Sequence, residues 1–143
     1  MKLNDLFLMN QQVGKIFSRI QDDVVDGNLK SFFKEKELER NEFCKMLQNE
    51  SKKLETKVDS SIMLQRRNHL TELSFKNLLR YDKNIDLFLQ VNNIMQFSLE
   101  KYNDLLMEMN MSLPLCKLLV KQRDSIQSSS FLIEREADAM GFA

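Results

Sequence analysis

Apolar residues recur every three or four positions along most of this 143-residue chain, in runs long enough to predict helices. Leu3, Leu6, Val13, Phe17, Ile20 and Val24 form one stripe. With Asn4 as a plausible N-cap and Asp26 and Gly27 as a stop, this stripe predicts a helix over 4–26. Asn28 then caps a second predicted helix whose stripe is Leu29, Phe32, Glu39, Phe43, Met46 and Leu54, ending near residue 56. The turn between the two is so short that they must pack antiparallel.

After a polar stretch over 56–61, the segment 62–79 carries Met63, Leu70, Leu73 and Leu78 and reads as a short amphipathic crossover helix. A break at 80–84 precedes a third stripe: Ile85, Phe88, Asn92, Met95, Leu99, Tyr102, Leu106 and Met109. Residues 110–112 turn the chain. Pro114 is tolerated only in a first helical turn, which places the start of the last helix near Leu113. Its stripe is Cys116, Leu119, Arg123, Ile126, Ser130, Ile133, Ala137 and Met140. The pattern predicts one all-α domain over 1–143. Two antiparallel hairpins, 4–56 and 85–140, are joined by a long crossover, 57–84, in a ferritin-like four-helix bundle.

Composition agrees with this reading and narrows the function classes. Three glycines and one proline leave little room for a many-stranded fold. Lys and Arg equal Asp and Glu at 21 each, so no overall field draws the chain to nucleic acid or to an anionic membrane. The opening MKLNDLFLMNQQ is broken by Asn4 and Asp5, too early for a signal or anchor, and no window approaches the apolar length of a membrane span. A cytoplasmic protein is expected. Cys44 and Cys116 lack the spacing of a zinc or redox pair and read as core or near-core residues.

Several stretches resemble a family: LNDLF at the start, ELERNEF in the second helix, and SLEKYNDLL followed by LPLCKLLVKQRDSIQ in the second hairpin. They are similar to the bacterial ferritin-like bundles of the domain-of-unknown-function 2383 group, themselves similar in outline to rubrerythrin-type proteins. The resemblance implies a fold and a loose association with stress responses. It implies no activity.

A di-iron bundle needs four inward carboxylates and two histidines, with Glu-x-x-His on two of its helices. The one histidine, His69, falls in the crossover. Glu39 and Glu42 stand where Glu-x-x-His would be, Ser128, Ser129 and Ser130 where the last helix would supply its histidine, and Asn10 or Gln11 and Asn92 where glutamates would be. Two carboxylates alone bind a divalent ion weakly, so Glu39 and Glu42 are only weak metal candidates and no cofactor is expected.

The stripes nevertheless hold polar residues, Asn10, Glu39, Asn92, Arg123 and Ser130, which would need partners if buried. Glu39 lies twelve residues past Gly27, roughly 18 Å along a helix, and Arg123 is at a similar height from the other end. An inward Glu39–Arg123 ion pair ringed by Asn92 and Asn10 is therefore expected in place of a metal. The alternative is that either side chain leans to the surface, Arg123 by snorkelling. Met107, Met109 and Met111 scatter around a helix end, and the three serines have no base to activate them. The run KEKELER, 34–40, reads as a solvated face with pairs such as Glu35 and Arg40 about a turn apart.

The expected function is that of a non-enzymatic, metal-free bundle acting through protein contacts, as a homo-oligomer or with a protein partner. A degenerate metal-binding oxidase or storage protein, or a helical adaptor using Arg66, Arg67 and His69, are the alternatives.

Overall fold

The computed structural model describes residues 3–55, 75, 78–108 and 110–142, and among these the chain is all-α, with no strand. Four long helices are formed: α1 (Leu3–Asp23), α2 (Gly27–Glu55), α3 (Leu87–Leu106) and α4 (Leu113–Glu136). None of the described helices is long and apolar enough to cross a membrane.

Local chemistry sets the ends. Asp26, not Asn28, caps α2: its Oδ1 accepts from the Asn28 and Leu29 amides at 2.8 and 3.0 Å. The aspartate thus satisfies two of the amides that a helix start leaves without partners. Asp86 caps α3 in the same way through the Leu89 amide at 3.0 Å. Ser112 caps α4 with Pro114 in the first turn, where the missing N–H costs nothing. Beyond α4 the chain closes with Gly141 at φ +88°, the Gly141 amide donating to Asp138 O and the Phe142 amide to Ala137 O. This is a Schellman stop, which favours glycine because a Cβ is strained at that φ.

Gln21 with Glu37, Asn10 with Arg40 and Phe7 with Cys44 are in contact, so α1 and α2 run antiparallel. Gln96 with Ser130 and Tyr102 with Gln122 show the same for α3 and α4. Between the hairpins, Phe142 meets Phe33 and Phe88 edge-on at 6.2 and 5.7 Å. The start of α2, the start of α3 and the chain end beyond α4 therefore share one end of the molecule. Phe17, Phe32 and Phe33 extend that aromatic cluster.

The core is continuous from Leu6, Met9 and Phe17 of α1 to Leu119 and Ile126 of α4. The buried stripe of α1 contains Leu3, Leu6, Val13, Phe17 and Ile20 as expected, but that of α3 is rotated. The buried residues of α3 are Gln90, Val91, Ile94, Met95, Ser98, Tyr102 and Leu105, while Ile85 is exposed and Phe88, Leu99 and Leu106 are half-buried. Most of the expected crossover, with Met63, Leu70, Leu73 and His69, lies outside the described residues. At its end Phe75 and Leu79 are buried, and Leu78, expected on the stripe, is exposed. Phe75 packs edge-on against Phe97 of α3 at 6.0 Å, and Leu79 O accepts from Gln12 of α1.

Candidate functional site

The polar centre of the molecule is built around Arg40. Facing inward from the middle of α2, it is 1% exposed. Its Nη1 donates to Asn10 Oδ1 at 2.8 Å and its Nη2 to Ser98 Oγ at 3.2 Å, with Met95 Sδ at 3.9 Å. The guanidinium carbon lies 6.0 Å from the Phe17 ring centroid, a distance at which the ring quadrupole attracts a cation. Among the described residues no carboxylate pairs with it. Burial pushes the guanidinium down from its ordinary pKa, and Tyr102, Glu39 and Cys44 act the other way. An arginine keeps its proton even so, and the charge is held by neutral dipoles.

From Asn10 the network continues. Its Nδ2 donates to Leu6 O and to Tyr102 Oη, both at 2.9 Å. The Tyr102 hydroxyl in turn donates to Gln122 Oε1 at 2.6 Å, and Gln122 Nε2 lies 3.8 Å from Met46 Sδ. Ser98 Oγ donates to Ile94 O at 2.8 Å. Asn10 comes from α1, Arg40 and Met46 from α2, Ser98 and Tyr102 from α3, and Gln122 from α4, so one chain of hydrogen bonds joins all four helices. No buried side-chain nitrogen or oxygen among the described residues lacks a partner. Such satisfaction is what makes a buried polar layer tolerable.

Small groups make room for the layer. A Cβ on Gly14 would lie 3.1 Å from Asn41 Oδ1 and 3.8 Å from Arg40 Cβ, so glycine lets α1 approach α2 beside the arginine. Cys44, one turn on from Arg40, donates to Phe7 O. Burial raises its thiol to about 11, against the opposing pull of Arg40. The same burial raises the Tyr102 hydroxyl, so both stay protonated and neutral at ordinary pH. A neutral thiol is a poor nucleophile.

The sequence-predicted site residues are thus only partly brought together. Asn10 is fully buried at the centre, and Ser130 is buried but apart from it, accepting from Gln96 at 3.3 Å. Glu39 is half-buried and pairs with Lys36 of its own helix at 3.4 Å. Arg123 is half-buried too, bonded to the Asp124 carboxylate and to Asn103 Oδ1, both at 3.2 Å. The expected Glu39–Arg123 pair is not formed, because each side chain reaches a partner near water and avoids the desolvation an inward pair would suffer. Asn92 is half-buried and outside the layer, and Glu42 is exposed. Arg40, expected on a solvated face, is the correction with the largest consequence.

The donor set does not fit a di-iron centre. Where such a site would gather carboxylates there is a buried guanidinium with amide, hydroxyl and thioether groups, and a fixed positive charge repels a divalent cation. Among the described residues no group of three or more His, Cys, Asp or Glu converges. No family model, curated protein or solved structure matches the chain.

Proposed function

We propose that the protein is a non-enzymatic ferritin-like bundle that acts through protein contacts, with its polar centre serving architecture. The observation that carries this reading is the filled centre: arginine, asparagine, tyrosine and glutamine from four helices take up one another's hydrogen-bonding capacity. Nothing in that layer is poised to attack, to accept a proton or to hold a substrate. A buried charge of this kind contributes more to helix register than to net stability, as the partnerships are lost in any rotated or slipped packing.

The ferritin-like part of the proposal is supported by direction. α2 ends beside the start of α1, where Leu3 and Ser51 line one groove, whereas α3 begins at the opposite end, beside Phe33 and Phe142. The end of α2 and the start of α3 thus lie at opposite ends of the described bundle, which supports a one-crossover topology. A partner chain would cover some of the large apolar side chains exposed on the surface, among them Leu38, Leu89, Leu113 and Phe131.

Thermal melts with ferrous iron or manganese test the metal-free part. A ligand at about 100 times its Kd stabilises by about 2.7 kcal/mol, so a functional site would raise Tm visibly. No shift is expected; a rise of several degrees abolished by Glu39→Ala would overturn the proposal. Sedimentation of the purified chain tests self-association, and a species heavier than the monomer is the expected result.

A further inference from the structure

Grooves on the described surface differ in charge. One between Leu3, Phe7, Leu47 and Ser51 is mostly uncharged, with Lys52 at its rim. A second lies along α4 alone, where Glu134 and Arg135 offset each other. A third, between α1 and the segment leading into α3, is lined by Gln12, Lys15, Arg19, Leu79, Arg80 and Tyr81 and encloses about 450 Å³. Among the described residues that line it are Lys15, Arg19 and Arg80 and no carboxylate; Arg80 is already engaged by another group, so Lys15 and Arg19 are the cations that face a ligand.

The walls are held in place. Gln12 Nε2 donates to Leu79 O at 3.4 Å, and Leu79 is buried against the core, which fixes the segment on α1. The Tyr81 hydroxyl bonds to Asp23 at the end of α1, which ties the segment to that helix a second time. Lys15 and Arg19, four residues apart, present their side chains on one face of α1. Neither is paired with a carboxylate among the described residues.

We propose that this groove binds a small organic phosphate. A phosphate monoester carries about −1.5 to −2 charges at neutral pH, which matches a pair of cations better than one carboxylate does. The guanidinium fork suits its oxygens. The volume exceeds that of a bare phosphate and falls within the range of small-molecule sites, roughly 300–1,000 Å³. The half-buried ring of Tyr81 offers an apolar surface to the organic part. This site is independent of the proposed architectural role of the centre.

The test is calorimetric titration of the full chain with adenosine monophosphate, adenosine and inorganic phosphate as separate probes. Adenosine monophosphate is expected to bind more tightly than either half. Arg19→Gln is expected to weaken it about tenfold, the loss of one charge-assisted hydrogen bond. Lys117→Gln, on an exposed part of α4, is expected to leave it unchanged, with Tm unaltered in both variants. Equal binding of adenosine and adenosine monophosphate, no binding of either, or an Arg19→Gln variant that binds like the parent would overturn the proposal. So would retention on phosphatidate vesicles by a chain that binds no soluble phosphate, since the source would then be a lipid headgroup.

Discussion

Arg40 and Arg123 both belong to the middle of long helices, and each has mostly polar neighbours in its own sequence. Arg123 finds a carboxylate, Asp124, and remains partly in water. Arg40 is enclosed and bonded to an amide, a hydroxyl and a thioether. The contrast shows that charge pairing does not decide which arginine is buried. At the surface a carboxylate adds little, typically under about 1 kcal/mol, because water already solvates both ions. In the interior each added ion carries its own desolvation cost, so a ring of neutral acceptors that are already in place can hold a guanidinium without burying a second charge.

Stability measurements can break this comparison. Removing the principal acceptor of the buried arginine should be the most damaging single change: Asn10→Leu leaves the guanidinium short of its best partner and is expected to cost about 3 to 5 kcal/mol in urea melts. Tyr102→Phe is next. It leaves Gln122 Oε1 without its donor and removes an acceptor from Asn10 Nδ2, and an unsatisfied buried group costs about 1 to 3 kcal/mol. Gly141→Ala should cost about 1 to 2 kcal/mol, as the added Cβ is strained at positive φ and would lie 2.8 Å from Asp26 Oδ2. Because that site is at the aromatic end of the molecule, its effect should add to that of Arg40→Met; non-additivity would mean that the two regions are coupled. Arg123→Met should change stability by less than about 1 kcal/mol, and a larger loss would contradict its assignment to the surface.

The contrast also explains what could be read from the amino-acid pattern. Helix extents were legible because Gly, Pro, Asp and Ser punctuate strong stripes: α4 begins at Leu113 as Pro114 requires, and Val13, Phe17 and Ile20 are buried as α1 predicts. Asn10 was legible as an inward polar group. Rotation was not. Between Leu119 and Ile126, seven residues apart, both Gln122 and Arg123 satisfy three- and four-residue spacing, and they differ by about 100° around the helix. Glu39 and Arg40 are equally ambiguous, following Phe32 and Phe33 by seven and preceding Met46 and Leu47 by seven. A signal was present, since Phe33, Arg40 and Leu47 repeat at the heptad interval and both apolar members are fully buried. It was masked because a hydrophobic pattern counts arginine as solvent-facing, whereas its long stem and planar head can be buried when acceptors await it. Those acceptors, Asn10 and Ser98, lie far away in sequence, and only the packed fold brings them together.

The central claim is that Arg40 and Asn10 act as one buried unit, and a double-mutant cycle measures that directly. Arg40→Met alone leaves Asn10 Oδ1 without its donor, and Asn10→Leu alone leaves the guanidinium without its acceptor. The double variant places two apolar side chains against each other. Urea melts of the four proteins should show both single variants destabilised and the double variant recovering most of the loss, with a coupling of at least about 2 kcal/mol. Single effects that simply add in the double variant would contradict the account.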